Sequence, residues 1–333
     1  MDKYDVIVAG AGVAGCVAAK QLADSGLSVL VLESSTPEKL GHDWWDTLEV
    51  NIFHQIGLAP PEPPEKKGSF HFDIVSPVGE TGVRACMTPN MVNTDRKLLA
   101  ERLVAATLDS GAEIRFETRA AAPVFDNGNV AGVVAAPRGG RRREIRSHLC
   151  IDASGGHGAL RRHMPRGQGF PRYIKKGDCV RTYREIREDT SGGGRSVLVI
   201  GEEDGAKWIS RDEPGLVDVF ACTMADSPAP PPRELTRELI RREGGVGDEV
   251  LRGGYGALIP VRRAFDSFVA PGLMLVGDSA CMANPLNGSG ASSSMEAALI
   301  ASRTAATAFE AGNFDTATLW PYNVEYKTGR DRR

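Results

Sequence analysis

The feature that most constrains the fold is "GAGVAG", Gly10–Gly15, set between the apolar run "YDVIVA" (Tyr4–Ala9) and the segment "CVAAKQLADSG". The apolar run reads as a parallel strand buried on both faces. The segment after the glycines reads as a helix closed by Gly26. Gly10, Gly12 and Gly15 stand at the spacing G-x-G-x-x-G, and each has a physical job in holding a dinucleotide. Gly10 permits the tight turn. Gly12 lets a pyrophosphate approach the backbone at the helix N-terminus, and Gly15 allows close helix–strand packing. A second strand, "LSVLVLE", ends at Glu33, about 20 residues on, where a carboxylate can accept hydrogen bonds from adenosine ribose hydroxyls. An acidic residue there disfavours a 2′-phosphate, so NADP is not expected at this turn.

NAD and FAD both fit this motif, and a second glycine-rich turn separates them. "GLMLVGDSA" gives a strand, Leu273–Val276, with Asp278 at its C-terminal edge, and "NPLNGSGASSSMEAALIAS" then leads into a helix. A simple NAD dehydrogenase has no use for a second strand–turn–helix of small residues near its C-terminus. FAD does, because its ribityl chain and flavin extend far from the adenine. Asp278 is placed to hydrogen-bond a ribityl hydroxyl. The backbone N–H groups of Gly288 and Gly290, at the helix start, can stabilise negative charge on a reduced flavin. The small residues of Asn287–Ser294 would let the flavin ring lie against the backbone.

Composition bounds the remaining classes. The chain has 333 residues, 41% of them hydrophobic, enough for one large domain or two joined ones. A net charge of -3 gives no general attraction to nucleic acid. Two local basic runs, Arg138–Arg146 and Arg161–Arg166, read first as a solvated hairpin and loop, with a site for a polyanion or for membrane headgroups as the alternative. The six cysteines form no C-x-x-C pair, so no metal site is expected, and reduced intracellular thiols fit them best. The N-terminus enters a strand at once, which leaves no room for a signal peptide, and no apolar run is long enough to span a membrane. These features predict a cytoplasmic protein, with contact at a membrane surface left open. Asp152, Ser154 and His157 are packed into one turn and lack the elbow-and-base arrangement of a hydrolase triad.

Four blocks carry a resemblance to the FAD-dependent oxidoreductases of the p-hydroxybenzoate hydroxylase-type fold, most of all to the geranylgeranyl reductase family. They are "VIVAGAGVAG…VLVLE" (Val6–Glu33), "LCIDASGGHGALRRHM" (Leu149–Met164), the segment Ile259–Ser302 containing "GDSACMANPLNGSG", and a helix read over Asn93–Ile114 in which Arg96 matches the family's arginine near the flavin and pyrophosphate. The resemblance implies an α/β fold: a Rossmann-type FAD-binding domain with an inserted antiparallel-sheet substrate domain. With the motif reading it gives a cofactor-binding set of Gly10, Ala11, Gly12, Val13, Ala14, Gly15, Glu33, Ser34, Arg96, Gly277, Asp278, Pro285, Gly288, Ser289, Gly290 and Ala291. It implies FAD as cofactor, electrons from NADH or NADPH bound transiently or from a protein donor, and an apolar, lipid-like substrate. The chain departs from the family in two places. "GHDWWDT" (Gly41–Thr47) stands where the family often has a Cys-containing loop, and the family's aromatic substrate-domain motif is reduced to Trp208 in "GAKWISRDEPG". Two alternatives therefore stay open: a monooxygenase of a small or aromatic molecule, and a flavin-binding scaffold without catalysis.

The FAD domain is expected to be discontinuous, over residues 1–70, 90–172 and 255–333. Residues 71–89 and 173–254 alternate in the manner of antiparallel strands and are expected to form a lid over the flavin. The space between lid and flavin is the expected substrate site. Trp44, Trp45, His54, Trp208, Cys222 and Tyr255 are candidates to line it, and His42 is a candidate proton donor.

Overall fold

The computed structural model describes residues 3–284 and 288–330. Lys3–Ala9 is the centre of a sheet whose parallel strands run in the order Leu273–Leu275, Arg143–Asp152, Lys3–Ala9, Val29–Leu32, Glu113–Arg115. Val6, Ile7, Val8 and Leu30 are fully buried, as a strand covered by helices on both faces requires. One cover is the helix Val13–Asp24; against it packs the long helix Ala291–Ala311. Ala297, Ala298, Ala301, Ala305 and Ala308 are all buried in the long helix. Such small side chains bring it close enough for Ser302 Oγ to reach the Ala18 carbonyl at 3.4 Å. Gly312, at φ 63°, ends it with a left-handed cap.

A second sheet runs in the order Arg252–Tyr255, Cys179–Glu188, Leu216–Met224, Gly205–Ser210, Val197–Ile200, His71–Ser76, Gly79–Cys86, with Leu258–Pro260 also paired to Cys179–Glu188. One face packs Val197, Val199, Ile209, Val217 and Val219 against Leu239 of the helix Pro232–Glu243. His71–Ser76 joins Val197–Ile200 in parallel rather than antiparallel register. A third, small sheet pairs Trp45–Glu49 and Lys66–Lys67 with Met91–Asp95.

The helix expected over Asn93–Ile114 is shorter, Arg96–Asp109. Asp95 ends the preceding strand and caps the helix, accepting the Lys97 and Leu98 N–H groups. Glu113 and Ile114 leave it to pair with Leu30 and Val31. Strand pairing with residues distant in sequence overrides the helical pattern at both ends.

Candidate functional site

The first glycine turn has the geometry its spacing predicts. Gly10 sits at φ 102°, and a Cβ there would stand 2.7 Å from the Ala153 carbonyl oxygen. A Cβ on Gly15 would overlap the Gly10 carbonyl oxygen. Gly12 differs: nothing lies within 4 Å of its Cβ position. It faces a cavity of about 360 Å³ lined by Ala11, Gly12, Val13, Lys39, Leu40, Gly41, His42, Arg96, Ala100, Leu103 and Tyr255. The open N-terminus of the Val13–Asp24 helix therefore meets a space with two cationic side chains, a setting suited to phosphate. Glu33 is buried at the end of Val29–Leu32. Ala11 N–H donates to its Oε2 at 2.8 Å and Ser35 N–H to its Oε1 at 2.7 Å, while Ser34 Oγ donates to Oε1 at 3.2 Å. The carboxylate is thus aimed at the turn, and each oxygen keeps acceptor capacity for a ribose hydroxyl.

The second turn adjoins the first. Gly277, at φ 66°, has Cβ space 3.5 Å from Ala14 Cβ and 3.1 Å from Ser294 Oγ. Asp278 follows, half-buried, and its carboxylate has no hydrogen-bond partner among the described residues. Burial pushes its pKa up, partly offset by Arg96. A Cβ on Gly290 would lie 3.5 Å from Asp278 Oδ1 and 3.4 Å from Ala283 Cβ. An unpartnered carboxylate beside a bare helix N-terminus fits a polyhydroxyl chain and the electron-rich edge of a flavin. FAD accordingly fits the residues present. Gly288 N–H, expected to face the flavin, instead donates to the Asn284 carbonyl at 2.8 Å, and Asn284 N–H donates to Ser289 O at 2.7 Å. These bonds build the turn and leave Gly290 and Ala291 to open the helix. Pro285 and Asn287 lie outside the described residues.

Between the cavity and the second sheet runs a chain of ion pairs that the sequence reading missed, buried at Arg184 and Asp218 and half-buried at Arg96 and Asp46. Arg96 Nη1 donates to Asp46 Oδ2 at 2.7 Å, and Arg184 Nη1 to Asp46 Oδ1 at 2.8 Å. Arg184 also forks onto Asp218, with Nε donating to Oδ1 at 2.8 Å and Nη2 to Oδ2 at 2.5 Å. Trp208 Nε1 reaches the same Oδ2 at 3.4 Å. Burial pushes Asp46 up, but Arg96 and Arg184 outweigh it and hold the carboxyl below its ordinary range. The Arg184 guanidinium lies 5.7 Å from the Trp44 ring centre and 5.3 Å from that of Trp208, flanked by both indoles.

The structure brings the aromatic candidates together around this arginine. His42 stacks on Trp44 at 4.4 Å, and Trp44 lies 5.0 Å from Tyr255. Burial first, then Arg96, lowers the His42 pKa to about 4, so the imidazole is neutral at pH 7. Trp45 is buried with Trp44 against Ile186. His54 is exposed on the helix Val50–Gln55, whose Ile52 and Phe53 take the core positions, and it lines nothing here.

Register assigns the other candidates to one face of the second sheet. Leu198 pairs with Trp208, Trp208 with Phe220, and Phe220 with Arg184, while Ala206 pairs with Cys222. This face is opposite to the one the Pro232–Glu243 helix covers. Its Leu198, Trp208, Phe220 and Cys222 are half-buried, and Ile200 is 41% exposed. Trp208 and Phe220 stack at 3.8 Å, with Phe72 6.1 Å from Trp208.

Residues 3–319 match the sequence model of the FAD binding domain family. The chain is 27% identical to a digeranylgeranylglycerophospholipid reductase of Sulfolobus acidocaldarius, over 97% of this chain and 74% of that protein. It is 29% identical to digeranylgeranylglycerophospholipid reductase 2 of Methanococcoides burtonii, over 96% and 79%. Among solved structures, a geranylgeranyl bacteriochlorophyll reductase-like protein of Thermoplasma acidophilum superposes with a TM-score of 0.85 at 18% identity, covering 100% of this chain and 84% of that one. A flavin-dependent brominase superposes at 0.76, also at 18% identity, over 99% and 85%. At such identities these two structures establish a shared fold.

Proposed function

The chain belongs to the FAD binding domain family, an FAD-dependent oxidoreductase by that membership, and from this premise we propose that it is a reductase of an apolar, polyprenyl-type lipid. The observation that carries the reading is the half-exposed apolar face of the second sheet, from Ile200 and Leu198 across Trp208 and Phe220 to Cys222. Its buried cation, Arg184, is engaged by Asp46 and Asp218 and offers a substrate no free charge. A face of this kind stabilises hydrocarbon and excludes water. The names of the curated relatives point to the same substrate class.

FAD supplies the two-electron redox chemistry when bound. Gly12 and the helix N-terminus beside it, with Arg96, would hold the pyrophosphate. Glu33 would hold the adenosine ribose and Asp278 a ribityl hydroxyl, while the first N–H groups of the Ala291–Ala311 helix would face the pyrimidine edge. Neutral His42, stacked on Trp44, keeps a proton on one ring nitrogen beside the cavity. We assign the flavin to residues 1–70, 90–172 and 255–333, and the substrate to the sheet formed from 71–89 and 173–254. NADH, NADPH or a protein supplies the electrons.

The test is anaerobic incubation of the FAD-loaded, dithionite-reduced protein with a polyprenyl glycerolipid, read by mass spectrometry. A gain of two hydrogens per double bond supports the reading. Gain of an oxygen atom in air would assign a monooxygenase. Bound FAD that neither NADH nor NADPH reduces at a useful rate, with every lipid and aromatic probe unchanged, would assign a scaffold.

A further inference from the structure

The flavin site and the apolar face leave unused the loop that joins the Arg143–Asp152 strand to the Cys179–Glu188 strand. From Ala153 to Gly177 it contains no acidic residue, and within it "RRHMPRGQGFPRYIKK" (Arg161–Lys176) holds six arginines and lysines. This loop is firmly built. Asp152 accepts the Leu160 and Arg161 N–H groups at 2.9 and 2.8 Å. The buried Arg161 guanidinium donates to the carbonyls of Gly156, Pro171 and Arg172 and so ties the two limbs of the loop together. Arg172 Nε donates to the Met164 carbonyl at 2.6 Å.

What this scaffold presents is positive and uncompensated. Arg162 and Arg172 of the loop, and Arg119 of the neighbouring strand Thr118–Asp126, have no carboxylate partner among the described residues. Arg96, Arg102, Arg184, Arg187, Arg211 and Arg252 each hold one. Arg162 Nη1 lies 2.6 Å from His157 Nε2, and its Nε is buried without a partner. Burial, then Arg162, holds both His157 and His163 below their ordinary range, with Arg119 acting on both rings and Arg172 on His163. Arg162 lies 5.5 Å from the ring centre of Tyr173, which is 65% exposed. Gly156, in the same loop, packs on Pro260 at the end of Leu258–Pro260, where Leu258 is 58% exposed.

We propose that Arg119, Arg162, Arg172 and Tyr173 form a docking surface for the anionic headgroups of a lipid bilayer. Unpaired arginines attract phosphate, and an exposed aromatic ring beside them suits the depth of the headgroups. The loop runs directly into the Cys179–Glu188 strand of the apolar sheet, so docking would set that sheet against the lipid reservoir. The biological sense of the inference rests on the lipid-substrate reading, whereas the docking itself does not. No helix among the described residues is long and apolar enough to cross a membrane, so contact of this kind would be peripheral.

The experiment is co-sedimentation of FAD-loaded protein with phosphatidylcholine vesicles, with and without phosphatidylglycerol, across a salt series. Binding is expected only with phosphatidylglycerol and should weaken as salt rises. The variant Arg119→Gln/Arg162→Gln should lose roughly 25-fold in partitioning, about fivefold per cation, while keeping its flavin spectrum. Arg237→Gln/Arg241→Gln, on the helix covering the opposite sheet face, removes as much charge and should bind as the wild type does. Equal binding to neutral vesicles, or no difference between the two variants, overturns the proposal. So does absence of vesicle binding together with retention on an acidic-protein column that only Arg119→Gln/Arg162→Gln loses, which would assign the surface to a protein partner. Because the readout is binding, failure here leaves lipid reduction in detergent to be judged separately.

Discussion

A Cβ at Gly290 meets only ordinary contacts, 3.4 Å from Ala283 Cβ and 3.5 Å from Asp278 Oδ1, and its φ of −136° suits any residue. Gly290→Leu should therefore fold, but its longer side chain would fill the space above Asp278. FAD affinity should fall by roughly tenfold or more, about 1.4 kcal/mol, seen as lost flavin absorbance after gel filtration; normal flavin content would disprove the assignment of this turn. At His42 the expected effect is on acid stability. Unfolded, the imidazole takes its proton near pH 6.5; folded, only near pH 4. Between those values the unfolded chain binds the extra proton, so stability falls as the pH drops through this window. His42→Gln should remove that part of the loss, on the order of 1–3 kcal/mol. Urea midpoints at pH 7 and pH 4.5 test it, and equal acid sensitivity in both proteins would refute it.

Where strand meets strand, side chains far apart in sequence determine what a local pattern means. In "TYREIRE" four of the seven residues are charged, as on a solvated face, yet Arg184 is buried. The reason is nonlocal: Asp218 lies 34 positions away and Asp46 138, each supplying a carboxylate at 2.8 Å. No spacing rule could have revealed that. The glycine turns were legible because their constraints are local: the positive φ of Gly10 and the overlap at Gly15 follow from one turn and the helix after it. The buried arginine makes its own prediction. Arg184→Met leaves Asp218 buried with, among the described residues, only the Trp208 N–H in reach, at 3.4 Å, and should destabilise by about 3–5 kcal/mol. Arg184→Met/Asp218→Leu removes both charges and leaves Arg96 on Asp46, so much of that loss should return. Urea unfolding of the two variants measures the difference; a double variant no better than the single one would show that the pair does not act as a unit.

For the whole molecule the two glycine turns, about 260 residues apart, meet because the sheet places Leu273–Leu275 beside Arg143–Asp152, which itself neighbours Lys3–Ala9. The motifs announced that a dinucleotide with a flavin would bridge them. They were silent on the apolar sheet face, since its sidedness depends on a register set across five strands. A ligand that bridges two ends of a chain stabilises only the folded state, so FAD should raise the unfolding temperature. At a hundredfold excess over its dissociation constant the gain is about 2.7 kcal/mol, or about 4 °C for a chain of this length. Gly290→Leu, with affinity about tenfold weaker, should keep at most about half of this shift at the same FAD concentration, whereas Arg119→Gln/Arg162→Gln, altered only on the basic surface, should keep all of it. Differential scanning fluorimetry at increasing FAD compares all three proteins. Equal shifts in all of them would mean that the flavin binds without the second turn, and loss of the shift in the arginine variant would mean that the basic surface belongs to the flavin site rather than to a lipid surface.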